Sequence, residues 1–404
     1  MVTVETRPAS VLRSVDEALE HVHAICFKTG PPRLVGVELE WILQRASDPH
    51  RPLDLPTLRA ALGDHAPHTL DPQSPELPLP HGSAVTVEPG GQVEISTPPH
   101  DSLTRLHAAV TADAAVLTGR LAQHGLSLAP SGIDRYRPPR RLLHTPRYDA
   151  MAASFSRDGP AGQVMMCGTA ATQVCLDAGQ PAQLARRWAT LHALGPPLLA
   201  LFATSRLHAG RDTGWVSARM RAWLETDPAR TWPVGAALEP AVAWGRYAMA
   251  APVLCVRRRD GPWQPAPGVT FADWIAGRLS PAPTTDDLEY HLGTLFPPVR
   301  PRGYVEVRYL DAQPPDEWFA PVAVVAALLS DDQITETARW LAAPVAGAWT
   351  TAARDGMSHP GVRAAAASLA DLACRALDRT DLTASHRDAV AEIVSRRLAG
   401  GQEQ

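Results

Sequence analysis

Three short segments of this chain alternate apolar residues with glutamates, and no other feature limits its fold so strongly. Along a strand, successive side chains point to opposite faces. Across VGVELEW (35–41), Val35, Val37, Leu39 and Trp41 fall on one face, and Gly36, Glu38 and Glu40 on the other. In VTVEPGGQVEIST (85–97), a Pro-Gly-Gly turn separates two strands. Glu88 ends the first, while Gln92, Glu94 and Ser96 share a face of the second. In YVEVRYL (304–310), Tyr304, Glu306 and Arg308 lie opposite Val305, Val307 and Tyr309. Each strand alone reads as a solvated face with ordinary surface charge. Joined in one sheet, they bring up to five glutamates together. Neighbouring carboxylates repel unless something positive sits among them. Solvated strand faces also carry Thr, Lys and Arg, so a face this acidic suits hard cations such as magnesium or manganese. Several divalent ions in one site suit nucleotide phosphates, whose charge they neutralise during transfer.

The remainder of the chain reads as helices interrupted by a proline-rich stretch over 45–85 and by loops and short helices over 205–270. Apolar spacing predicts helices over 11–27, 55–62, 101–124 (capped in the Thr97–Asp101 region) and 181–204, and an almost wholly helical stretch over about 316–398. Residues 35–43 and 300–315 read as strands, as does the run QVMMCGTAATQVCLDAG (163–179). No internal repeat and no long polar linker divides the 404 residues, which predicts one domain over 1–404. His65, His68 and His81 lie in a proline-rich loop region and receive no role.

A formal charge of −4 gives no general attraction to nucleic acid or anionic lipid. Local clusters (Arg137, Arg140, Arg141 and Arg147, then Arg300, Arg302 and Arg308) leave small anions as partners. No apolar run approaches the roughly 20 residues that span a bilayer, and MVTVETRPAS lacks the build of a secretion signal. Five scattered cysteines without a CxxC pair predict reduced, structural thiols and a cytoplasmic location. There is no GxxxxGK[ST], no Rossmann fingerprint, no HExxH and no GxSxG. What remains is a nucleotide held by metals and arginines.

The segments GVELEW, VEPGGQVEIST, RYDAM, MMCGTAATQVCLD, TDPART, FADWIAGRLS and HLGTLFPPVRPRGYVEVRYLD occur in this order. Together they resemble the glutamate–cysteine ligases, in particular the plant and proteobacterial branch and its actinobacterial relatives. CFKTGPP, just before the first strand, looks like the actinobacterial enzymes of ergothioneine biosynthesis. The resemblance covers roughly 26–330. It implies an α+β fold, with a curved, mostly antiparallel sheet and outer helices, like the catalytic fold of glutamine synthetase. It also implies metal ligation by Glu38, Glu40, Glu88, Glu94 and Glu306, with Gln92 beside the nucleotide. Arg308 matches the arginine that contacts phosphate. Arg147 and Arg230 match arginines that hold substrate carboxylates, with Thr169 as a neighbour. Gln173 falls where a more distant branch places a metal-binding histidine. This chain departs from the plant-like pattern at LHTPRY, at RTW and at Cys175-Leu176-Asp177.

The implied reaction uses ATP as co-substrate and Mg2+, with Mn2+ as the alternative. The glutamate side-chain carboxylate takes the γ-phosphoryl group, and the cysteine amino group then displaces phosphate. Positioning and charge neutralisation suffice for this, so Cys167 and Cys175 receive no covalent role. Three readings stay open beside it: a ligase of the same fold with another acceptor amine, a non-catalytic regulatory relative, and a phosphatase or nuclease. The last lacks a nearby His/Asp cluster.

Overall fold

The structure is a computed structural model that describes residues 9–400 apart from 158 and 237. Residues 1–8, most of the segment read as lacking a secretion signal, lie outside the described residues. At its centre is a six-stranded sheet made of β1 (Val35–Trp41), β2 (Ala84–Val87), β3 (Val93–Ser96), β4 (Ala171–Leu176), β5 (Val299–Pro301) and β6 (Val305–Asp311). Their order across the sheet is β2-β3-β1-β4-β6-β5, and every neighbouring pair is antiparallel. All three segments that define the sequence pattern are therefore in one sheet.

Register follows from the pattern. Leu39 pairs with Ile95 and Thr172, Val37 with Val174, and Val307 with Val174 on the far side. A one-residue slip would turn these side chains away from the core, so the apolar face fixes which residues meet on the polar one. That apolar face is covered by helices Pro181–Leu201 and Phe319–Leu328. Helices Asp332–Ala342, Pro360–Ala376 and Ala384–Leu398 pack behind them. Gly195 lets the indole of Trp349 lie directly on the Pro181–Leu201 backbone, where a methyl group would overlap the ring. One contiguous buried cluster runs from Leu12 to Val394. No described helix is long and apolar enough to cross a membrane.

Most expected elements are present with shifted ends. The first helix is Val15–Cys26, started by Ser14, whose hydroxyl accepts from the Glu17 amide. The 103–123 helix is capped by Ser102, just beyond the expected region. The 35–43 strand ends at Trp41, and Leu43–Arg45 pairs with Leu126–Leu128 in a separate ladder. The run over 163–179 differs in kind, because its first half is the helix Ala161–Gly168 and only Ala171–Leu176 is strand. Gln163, Met165 and Met166 are straight-chain helix formers, whereas the β-branched Thr172 and Val174 fall in the strand.

Candidate active site

The register stacks the carboxylates on the polar face. Glu38 stands opposite Ser96 on one side and Gln173 on the other, and Glu40 stands opposite Glu94. Glu306 stands opposite Cys175 and, across the β5–β6 hairpin, opposite Arg300. The hairpin turns through Gly303, which has φ +81°, a conformation that glycine adopts without strain.

Between Val307 and Leu310 the β4–β6 register shifts, so that Arg308 and Tyr309 face Gln173 alone. A bulge of this kind re-aims a side chain. Here Arg308 Nη1 donates to Glu306 Oε2 at 2.8 Å and also to Gln173 Oε1. Arg300 completes a fork on Glu306, with Nε to Oε2 at 2.7 Å and Nη2 to Oε1 at 3.2 Å. Gln173 Nε2 donates to Glu40 Oε1 at 2.7 Å, and the Ala171 amide donates to Glu40 Oε2 at 2.9 Å. Glu94 Oε1 accepts from Thr86 and Ser96. The side-chain carboxylates of Glu38 and Glu88 accept no hydrogen bond among the described residues.

These groups line a cavity of about 510 Å³. Glu38, Glu40, Glu88 and Glu94 form its acidic floor, and Arg147, Arg300, Arg302 and Arg308 bring positive charge. Met151, Met165, Met166, Trp223 and Phe296 make an apolar wall. Burial pushes Glu38 up to about 7, helped by the charges of Glu306 and Glu94. Burial and its acidic neighbours likewise push Glu94 to about 7 and Glu88 to about 8, and they raise Glu40. Glu306 behaves oppositely: burial would raise it, but the Arg300 and Arg308 guanidiniums outweigh that and hold it at about 2. Four clustered carboxylates, Glu40 buried and the other three half-buried, repel one another and form a site that a divalent cation would stabilise. One ligand atom each from Glu38, Cys175 and Glu306 lies within 4.8 Å of the others. Burial drives the Cys175 thiol far above its ordinary range, so it stays neutral and suits a hard cation poorly. The oxygen donors fit magnesium or manganese.

The sequence matches the family described as glutamate-cysteine ligase family 2 over residues 34–404. The chain belongs to that ligase family. It is 41% identical to the glutamate–cysteine ligase EgtA of Mycolicibacterium smegmatis over 371 residues, covering 89% of this chain and 84% of the relative. It is 42% identical to EgtA of Mycobacterium tuberculosis over 352 residues, covering 84% and 78%. A solved glutamate–cysteine ligase of Francisella tularensis, in complex with AMP, shares the fold with a TM-score of 0.51 at 13% identity, covering 93% of this chain and 83% of that one. The expected α+β ligase fold is thus present, and the chain is an enzyme of this family.

Within this ligase, the residues singled out by sequence fall into four groups. Glu306, expected as a metal ligand, is fully buried behind the cavity lining with both oxygens bound to Arg300 and Arg308, so it holds these arginines rather than an open metal position. Glu38, Glu40, Glu88, Glu94, Gln173, Arg147, Thr169 and Arg308 all line the cavity. Arg147 reaches it with Nη2 on the Gly293 carbonyl at 2.7 Å and its guanidinium over the Tyr290 ring. Gln92 also lines the cavity, but its amide is bound to backbone: Oε1 accepts from Gly90, and Nε2 donates to Met166 and Thr169. It fixes the hairpin loop between Glu88 and Glu94 rather than presenting a free group to a nucleotide. Arg230 is not among the lining residues. Its nitrogens bind Asp227, Thr294 and the Pro252 carbonyl, so in this arrangement it clamps loops together and does not reach a substrate carboxylate.

Arg300, Arg219, Trp223 and Tyr290 were not assigned by sequence reasoning. Arg300 had a usable signal: a turn centred on Gly303 in VRPRGYVE places it directly across from Glu306. Nothing local distinguishes Arg219 or Trp223, which reach the site from the Ala218–Thr226 helix. Cys26, Cys167 and Cys255 are buried as expected, and burial raises Cys167 to about 12 and the other two to about 11, away from thiolate chemistry, while Cys175 and Cys374 are only half-buried.

Proposed function

We propose that this enzyme joins the side-chain carboxylate of glutamate to the amino group of cysteine, at the expense of ATP, to give γ-glutamylcysteine. The pathway we assign is ergothioneine biosynthesis, in the cytoplasm, with residues 1–404 acting as one catalytic unit. The reading rests on one observation above all, a cavity lined by the carboxylates of Glu38, Glu40, Glu88 and Glu94 together with four arginines. Such a division suits a cation-bound polyphosphate meeting an anionic amino acid. Likeness to the two EgtA relatives supports glutamate and cysteine as the substrates.

Glu38, Glu40, Glu88 and Glu94 would hold magnesium, which neutralises phosphate charge so that two anions can meet; Glu306, expected as a fifth ligand, has both oxygens on Arg300 and Arg308 and braces those arginines instead. Arg308 presents its guanidinium to the phosphoryl group, braced by Glu306 and Gln173. Gln173 in turn fixes one Glu40 oxygen, which sets the direction of the acidic floor. Arg147 and Thr169 line the same cavity, where Arg147 can take a substrate carboxylate. The Met151–Met165–Met166 wall excludes water from the acyl phosphate before the amine attacks. No side-chain nucleophile is needed.

The test is ADP release by the purified chain with magnesium, ATP and glutamate, across a panel of acceptor amines. Cysteine should be preferred and the product should be γ-glutamylcysteine. Preference for a different amine would reassign the acceptor while keeping the ligase chemistry. No amine-dependent release at all would reject the ligase reading.

A further inference from the structure

The bulge beside Arg308 takes that residue out of the regular ladder, and a buried arginine from another element makes up the contact. Arg219, on the Ala218–Thr226 helix and only 1% exposed, donates from Nη2 to the Arg308 carbonyl at 2.8 Å. Its charge is offset from behind by Asp311, with Nη1 to Oδ1 at 3.8 Å. Asp311 is itself fixed by Ser205 Oγ at 2.6 Å, Ser217 Oγ at 2.9 Å and the Thr204 amide at 3.0 Å. The Trp223 ring lies 5.4 Å from the Arg219 guanidinium and 5.3 Å from that of Arg308, so one indole supports both cations. Arg219 Nε has no partner among the described residues. Burying an arginine with one loose ion pair and an unmet donor is costly unless its position does something specific. Packing alone would be met by an apolar side chain.

We propose that Arg219 is a positioning residue for the ligase reaction: it holds the bulged backbone so that the Arg308 side chain is aimed at the transferring phosphoryl group. The proposal rests on the ligase reading given above. It makes the Asp311–Arg219 pair a support whose effect passes through Arg308.

The test is a double-mutant cycle on the full chain with Arg219→Gln, Arg308→Lys and the two combined, together with Arg219→Lys. Arg219→Gln should lower kcat about ten- to a hundredfold while KM for cysteine moves by less than about twofold. In the Arg308→Lys background the same change should cost little more, because its route is already broken. Arg219→Lys, which keeps the charge, should recover part of the loss. Full kcat in Arg219→Gln, or losses that multiply in the combined variant, would overturn the proposal. If thermal unfolding shows that Arg219→Gln does not fold, the cycle is run with Arg219→Lys. If the unmodified chain releases no ADP, the ligase reading falls. The cycle is then read on magnesium–ATP binding by calorimetry, where independent losses again overturn the positioning role.

Discussion

Glu38 and Glu306 face each other across β4 but are held in opposite states. Glu38 is raised to about 7 by burial and acidic neighbours, and Glu306 is held at about 2 by two guanidiniums. Glu306 is paired with two guanidiniums, whereas Glu38 is in no ion pair among the described residues. We expect Glu38→Gln or Glu306→Gln to lower glutamate- and cysteine-dependent ADP release by more than about a hundredfold, with the fold intact. Full activity in Glu38→Gln would reject its assignment as a metal ligand, and full activity in Glu306→Gln would reject its role in holding Arg308. The pH dependence follows with its sign. Glu38, Glu88 and Glu94 titrate at about 7, 8 and 7 in the folded chain against 4.5 ordinarily, so the folded state holds protons that the unfolded chain releases. Their stabilising contribution is complete below 4.5 and is lost as pH rises toward 8. Glu306 works the other way: its contribution is present above 4.5 and lost as pH falls toward 2. Because a cation needs ionised ligands, added magnesium should raise Tm more at pH 8 than at pH 6. Equal gains at both pH values in a thermal scan would count against these carboxylates as its ligands.

At the scale of elements, the site depends on two hairpins and what holds them. The loop between β2 and β3 packs Gly90 so tightly on the Cys167 carbonyl that a methyl group would overlap it. Gln92 joins the same loop to the end of the Ala161–Gly168 helix. Gly90→Ala should therefore cost about 1–3 kcal/mol by overpacking, read as a lower denaturation midpoint. Activity should fall with it, because Glu88 and Glu94 ride on this loop. Unchanged stability would mean that the loop moves freely away from the helix. The β5–β6 hairpin is anchored differently, with the Gly303 amide donating to the Cys26 carbonyl at 2.9 Å. The first helix thus steadies the turn between Arg300 and Glu306.

Across the whole molecule, the C-terminal helices form the back of the sheet that carries the site. Trp349 is buried against Gly195 and meets Tyr309 with ring centroids 5.6 Å apart, one residue beyond Arg308. Trp349→Ala should cost about 3–5 kcal/mol in unfolding experiments. It should also lower kcat, since the cavity left behind opens beneath the bulge. A stability loss with kcat untouched would show that the helical layer supports the sheet without setting its active geometry.

The sequence by itself determined which residues share a face. Period-two alternation is a local property, so Glu38 and Glu40, Glu94, and Glu306 could each be assigned to the polar face of their own strand before any strand order was known, whereas their adjacency follows from the pairing of those strands. The ordered motifs likewise carried the family. The chain's turns set the hairpins, and Gly303 even encodes the Arg300–Glu306 pairing. Other features depend on contacts between distant segments, which no local pattern records. Gln92 went to backbone because a helix end lay beside it. Arg230 went to Asp227 and two carbonyls because the loops over 252 and 294 close on it. The split between carboxylates raised and lowered in pKa, and the bulge that turns Arg308 onto Gln173, come from burial and strand pairing, which only the tertiary structure decides.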